Sequence, residues 1–314
     1  MNQVIYFYNP NPQKHGTFEP RFGLENWIDQ TVSRFSENKT SINLCLVSEI
    51  PDSGIIVFHS GFFDKNIKPN SDQLFICVAA DYGRHRYAQI HLFQNHFQSV
   101  INCRNKRLIA DIMFPFCDSF FVPHWSQPRI KKRIKNEKDL FRIGYFGNSN
   151  NFDEDLNKEM DSFCKNRHLV FEIVDDWKRW KDYSDFDLIL AIRDLKGGNY
   201  LNKPFSKLIN ALIAGVPMIA TNESSSIYFK KNYFPELPII TSKTELFAKI
   251  LEMKENYGYH LKMIQKNGLS ISDVYENEVN KSWEEVFQKS EEFLFKWKTS
   301  SRLLKSLFFK SRTI

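Results

Sequence analysis

Residues 185–221, DFDLILAIRDLKGGNYLNKPFSKLINALIAGVPMIAT, decide how this chain is read. Phe186 to Ile192 is a nearly unbroken apolar run, the pattern of a parallel strand covered on both faces. Gly197 and Gly198 interrupt it, and Pro204 suits the first turn of a new helix, where its missing N–H costs no hydrogen bond. Leu208, Ile209, Leu212 and Ile213 recur at helical spacing, Gly215 supplies a left-handed cap, and Val216 to Ala220 opens the next strand. Lys203, Ser206, Lys207 and Asn210 lie on or beside the first turns of that helix. A helix N-terminus with two ammonium groups is a site for a phosphate or diphosphate at the carboxyl ends of a parallel sheet.

Outward from this unit, apolar strands and helices alternate along the chain, which predicts an α/β protein. Strands are expected at Val4–Tyr8, Asn43–Leu46, Gly54–His59, Leu74–Ala79, Ile90–Phe93, Ser119–Val122, Phe141–Phe146, Val170–Val174 and Ile239–Ile240. Helices are expected at Leu24–Phe35, Val100–Ile112, Asp153–Lys165 and Tyr275–Trp297, and at Ser242–Lys254 behind a capping box of Ser242 and Glu245. The loop before Phe22 carries His15, Gly16 and Arg21.

At 314 residues the chain is long enough for two domains of ordinary size. Its 42% hydrophobic and 15% aromatic content excludes a disordered protein. The five cysteines, Cys45, Cys77, Cys103, Cys117 and Cys164, lack metal-ligand spacing and read as buried apolar residues in a reducing compartment. The opening Met1-Asn2-Gln3 enters a strand at once, and no run reaches the length of a bilayer span, so a cytoplasmic protein is expected. The net charge of +6 gathers in two places. One is Arg129, Lys131, Lys132, Arg133 and Lys135, read as a solvated face without the interleaved aromatics that nucleic acid demands. The other is the tail from Lys296, where Leu303, Leu304, Leu307 and Phe308 form an apolar side among basic residues. That tail suits an anionic membrane surface, or a terminal helix docked on its own domain.

Two loops outside the central unit carry chemistry. Gly147, Asn148 and Ser149 follow a strand and precede a helix, the context in which a loop binds phosphate or an acceptor. Asp81 follows a strand and can serve as general base toward a hydroxyl, or pair with Arg84 or Arg86 to fix its loop. His59, at another strand's carboxyl end, is a second candidate for the chemistry, or a loop histidine. Arg193 can hold phosphates in planar bidentate geometry. Glu223 either accepts from the hydroxyls of a ligand or caps the helix behind it. Trp177, Trp180 and Tyr183 read as packing or as a stacking surface for a base.

The segment NKPFSKLINALIAGVPMIA resembles the donor-binding segment of glycosyltransferases with the two-domain GT-B fold. Many of those enzymes carry two glutamates eight positions apart, where this chain has Asn202 and Asn210. The wording around Ser206-Lys207, Asn210-Ala211-Leu212 and Ala214-Gly215-Val216-Pro217 is similar to fucosyltransferase-like enzymes, and more so to bacterial surface-polysaccharide transferases. His124-Trp125-Ser126-Gln127-Pro128, leading to Arg142-Ile143-Gly144-Tyr145-Phe146-Gly147-Asn148, is a second match, and the resemblance covers roughly residues 75–240. It implies two Rossmann-like domains with parallel sheets facing across a cleft: an acceptor domain at 1–125, a linker at 126–139, a nucleotide-sugar domain at 140–270, and helices from 271 bridging back. It further implies glycosyl transfer from a nucleotide-sugar to a saccharide or glycolipid, without a cofactor, and because the chain lacks an Asp-x-Asp cluster at a strand end, helix amides and cations are expected in place of a divalent metal. Lys207, Lys203, Ser206, Arg193, Gly147, Asn148 and Ser149 would hold the donor phosphates, and Asn210, Glu223 and Asn202 its sugar or ribose. A nucleotide-sugar epimerase, or a sugar-binding protein without catalysis, would share the same fold.

Overall fold

The computed structural model describes residues 3–12, 23–37, 42–104, 114–134, 140–165, 167–198 and 200–312. His15, Gly16, Arg21, Lys135 and the predicted helix beyond residue 104 lie outside them, as does the side chain of Cys103. The chain forms two compact units, residues 1–125 with 202–204 and 278–314, and residues 126–201 with 205–277.

The first unit is built on six parallel strands, β1 (Ile5–Tyr8), β2 (Leu44–Val47), β3 (Gly54–His59), β4 (Gln73–Val78), β5 (Ile90–Phe93) and β6 (Asp118–Phe121), in the order β2-β1-β3-β4-β5-β6. β3, β4 and β5 are buried along their whole length, as continuous apolar strands must be. The helix after β1 opens with a π-helical turn, Glu25–Asp29, before α1 (Gln30–Glu37). Helix α2 (His96–Arg104) follows β5. On one side of the sheet Phe7, Trp27, Trp283 and Phe287 pack ring against ring. Ile56, Phe58, Phe63, Phe75 and Cys77 form a second cluster.

The second unit carries five parallel strands, β7 (Phe141–Phe146), β8 (Leu169–Val174), β9 (Leu188–Ala191), β10 (Met218–Thr221) and β11 (Ile239–Ile240), in the order β11-β10-β9-β7-β8. The strand order reverses between β7 and β9, so a crevice opens beyond their carboxyl ends, where doubly wound sheets bind ligands. Helices α3 (Glu154–Lys165), α4 (Ser206–Ala214) and α5 (Ser224–Asn232) connect the strands, and α6 (Lys243–Glu255) follows β11. Leu156, Met160, Leu188, Leu190, Ile219, Leu246 and Ile250 are among its core residues. Gly215 ends α4 with φ 74°, as its position predicts. At α6 the Glu245 amide donates to Ser242 Oγ while the Glu245 carboxylate accepts from the Thr241 amide, one residue before the partner expected of the box.

The predicted helix 275–297 is part of a longer one, α7 (Tyr257–Thr299, 43 residues), whose residues from 278 onward belong to the first unit. Helix α8 (Arg302–Ser311) follows, and its Phe308 is fully buried against Phe114, Phe116 and Trp297. Leu303 and Leu307, expected on the same apolar side, are exposed.

Residues 126–134 belong to the second unit and differ from an unattached linker. The Lys131 amide donates to the Lys181 carbonyl, Arg133 N–H to Ala214 and Ile134 N–H to Ser184. Nor is the basic run there a uniformly solvated face. Arg133 is only partly exposed and pairs with the buried Asp187 at 2.7 Å, because Asp187 faces inward where β9 begins and needs a cation.

Candidate functional site

At the carboxyl edge of the second sheet, Lys207 on the first turn of α4 lays its Nζ 3.6 Å from the centre of the Tyr145 ring. Its end reaches Gly147, where a Cβ would stand 3.2 Å from Nζ and 3.4 Å from Cε. Gly147 has φ 148°, a conformation that glycine adopts and side chains resist. Phe205 occupies the cap position of α4 and provides no side-chain acceptor for the first-turn amides. The loop after β7, Tyr145 near the end of that strand and the start of α4 thus gather a cation and a helix N-terminus at the strand-order reversal.

Beside them Arg193, just past β9, forms a short ion pair with Glu223, just past β10. Glu223 is 2% exposed and also accepts from the Thr221 hydroxyl at 2.9 Å. Burial raises its carboxyl above the usual range, and the charges of Arg193 and Lys207 oppose that rise. A cavity of about 140 Å³ opens next to the pair, lined by Asp194, Gly197, Gly198, Thr221, Asn222 and Glu223. Burial also pushes the Tyr145 hydroxyl up to about 12.

Other predicted donor residues have different partners. Ser149 Oγ donates to Asp175 at 2.6 Å, and Asn148 Oδ1 accepts from the Asn150 amide. Ser206 is the first residue of α4. Asn210, between the fully buried Ile209 and Ala211, accepts from the Gln127 amide at 3.0 Å and bonds Tyr183. That inward position makes it a brace inside the unit. Tyr183 stacks on Phe146 at 4.2 Å and Trp180 donates to the Val174 carbonyl, so both aromatics pack.

Lys203 and Asn202 belong to the first unit, apart from Lys207. Lys203 Nζ pairs with Asp81 at 2.8 Å. Gln94 Nε2 donates both to Asp81 Oδ1 and to the Asn202 carbonyl, and Asn95 donates to the Lys203 carbonyl. The proposed base and one proposed phosphate ligand therefore neutralise each other. Asp81 does not take Arg84, whose guanidinium donates to Ser119 and lies over Phe93. Ala80, immediately before Asp81, has φ 41°, a strained value for a residue with a side chain.

His59 ends β3 and is 1% exposed. Its Nδ1 accepts from the Gly61 amide at 3.2 Å. Burial lowers its pKa to about 4, with Asp81 opposing and His124 assisting. His124 bonds the Trp125 carbonyl through Nδ1 at 2.7 Å and meets the Trp27 ring edge-on. Sequence reasoning passed over Asn9 and Asp29. Asn9 donates to both Asp29 oxygens at 2.9 Å, and burial raises Asp29 to about 6 against that bond.

No protein-family model and no curated protein matches the chain. Among solved structures, AviGT4, a glycosyltransferase involved in avilamycin A biosynthesis, superposes with a TM-score of 0.52 at 10% identity, over 93% of this chain and 98% of its own. This is the GT-B fold. TarM aligns at a TM-score of 0.47 with 14% identity over 78% of this chain, and the pneumococcal O-GlcNAc transferase GtfA at 0.38 with 11% identity over 82%. The chain spans 56% of TarM and 57% of GtfA. Within the GT-B fold, Gly147, Lys207, Arg193 and Glu223 sit at the carboxyl edge of the second sheet, and Asp81 and His59 sit at that of the first.

Proposed function

We propose that the chain is a glycosyltransferase that moves a sugar from a nucleotide-sugar to a hydroxyl of a cell-surface glycan or lipid-linked saccharide, without a divalent metal. The acceptor oxygen bonds to the anomeric carbon, the bond from that carbon to the phosphate oxygen breaks, and the nucleotide departs with the electron pair. The hydroxyl proton passes to a protein carboxylate or to solvent. What limits such a step is negative charge growing on the departing phosphate, and prearranged cations and helix dipoles stabilise it without reorganising.

The observation that carries this reading is the seat of Lys207: an ammonium held over Tyr145, against a glycine loop and at the start of α4. Arg193 stands next to it with Glu223, which orients the guanidinium and can accept from donor hydroxyls. The shared fold with AviGT4, a glycosyltransferase, agrees with the assignment. A lipid-linked acceptor would bring the protein to the cytoplasmic face of an anionic membrane. Residues 293–314 hold six basic side chains and no acidic one, and α8 exposes Leu303 and Leu307. Among the described residues no helix is long and apolar enough to cross a membrane.

The test is a thermal-shift screen against common nucleotide-sugars, followed by transfer assays with and without EDTA. The reading expects one nucleotide-sugar to raise the melting temperature and EDTA to leave transfer unchanged. Turnover of donor without any saccharide present would point to an epimerase instead. Binding without transfer or hydrolysis would point to a sugar-binding protein.

A further inference from the structure

The carboxyl edge of the first sheet holds a hydrogen-bond donor with nothing to donate to. His59 is 1% exposed, and its Nδ1 accepts the Gly61 N–H, so the proton of the neutral ring resides on Nε2. That N–H is buried and has no partner among the described residues. An unmet buried donor is costly, so its retention calls for an explanation. Gly23 packs close against it, and a Cβ on Gly23 would crowd Nε2 at 3.0 Å. The same tautomer means that His59 cannot act as a base through Nε2.

Around this donor stand two aromatic rings that are not packed away. Tyr82 is 65% exposed and Phe62 39% exposed, with centroids 6.3 Å apart. The His59 ring lies 5.4 Å from Phe62 and 5.5 Å from Tyr82, so the three form one cluster. Tyr82 rests against the backbone of Gly61, where a Cβ would meet its ring at 2.8 Å. Asp81, the neighbour of Tyr82, adds a half-exposed carboxylate held by Gln94 and Lys203. Rigid aromatic faces beside a buried N–H and a carboxylate match a ligand that has an apolar face and a rim of hydroxyls.

We propose that His59, Phe62 and Tyr82 form a saccharide subsite, in which a pyranose ring lies on the aromatic pair and the His59 Nε2–H donates to one of its hydroxyl oxygens. Naming this sugar the acceptor rests on the glycosyl-transfer reading; the binding of a pyranose does not. His59 is then a binding residue, and Gly23 and Gly61 are backbone positions packed close against the cluster.

The experiment is saturation-transfer NMR on the full chain with a panel of methyl pyranosides, and sorbitol as an acyclic control. At least one pyranoside should receive saturation on the C–H groups of one ring face, and sorbitol should not. Tyr82→Ala, a change at an exposed side chain, should weaken that binding about tenfold. His59→Phe keeps the ring and removes the donor, and Gly23→Ala crowds Nε2; each should weaken binding by a similar factor. The proposal is overturned if no pyranoside is saturated, or if Tyr82→Ala leaves the signal unchanged. It is equally overturned if Lys207→Ala, and not Tyr82→Ala, removes the signal. Nucleotide-sugar binding by thermal shift is scored separately. A chain that binds donor but no pyranoside loses this subsite alone, and one that binds pyranosides through Tyr82 but no donor loses only the transferase assignment.

Discussion

The two carboxyl edges of this molecule solve different electrostatic problems with similar backbones. In the second unit the edge keeps charge: Arg193 with Glu223, and Lys207 spread over an aromatic face. In the first unit the edge suppresses charge. His59 and His124 are held neutral by burial, Asp29 is pushed toward its protonated form, and Lys203 cancels Asp81. A departing phosphate needs the first kind of surface, and a neutral polyol needs only the second. The Rossmann-like frame supplies the position in both cases, and the side chains after each strand decide which partner fits.

The largest effect expected from disturbing this contrast is at Lys207. Lys207→Ala should lower kcat/KM by about 10²–10³-fold, the usual loss when one prearranged charge-stabilising group is removed. Its melting temperature should stay close to that of the parent, because the side chain lies on the sheet edge and not in the core. A full transfer rate in a folded Lys207→Ala protein would show that the charged edge serves something else.

The charge-suppressing edge is tested by pH. His59 has a pKa of about 4 when folded against 6.5 for the free group, so its contribution to stability is complete above 6.5 and is lost as pH falls toward 4. Asp29 runs the other way: raised to about 6 from 3.8, its contribution is complete below 3.8 and lost as pH rises through 6. Each is worth about 3 kcal/mol, and the two slopes oppose each other in one window. His85, His91 and His124, all lowered by burial, act in the sense of His59. Asp29→Asn should therefore steepen the fall in melting temperature between pH 7 and pH 5 by several degrees relative to the parent. Parallel curves for the two proteins would mean that Asp29 is ionised in the fold.

A smaller effect is expected at Gly147. Alanine there meets both a positive φ and the end of Lys207, and should weaken nucleotide-sugar binding about tenfold. Unchanged affinity would separate the glycine loop from the donor and leave Lys207 acting alone.

Most of the strands and the Gly215 cap were legible in the sequence, because apolar runs and glycine placement are local signals. The place of Lys207 on a first helical turn after a parallel strand was legible for the same reason. What escaped depends on contacts between distant positions. The Lys203–Asp81 pair joins residues 122 apart, and no local pattern announces it. Asn210 looked like a ligand because of its place in a motif, but its side chain points inward at Gln127. Arg133 sat in a run of cations that suggested solvent, and only the fold shows Asp187 beneath it. The tautomer of His59 is set by a single amide two residues on, which becomes readable only once the turn has a shape. The π-helical turn that carries Asp29 has no sequence signature at all.

Helix α7 carries one further consequence. The aromatic layer of the first unit is completed by Trp283, Phe287, Trp297 and Phe308, so that core cannot close until the chain through Phe308 has emerged from the ribosome. The second unit, by contrast, has all its residues once position 277 has been synthesised. Vectorial folding would thus run against the usual order, with the later half maturing first while the earlier half waits, its apolar strands exposed to chaperones.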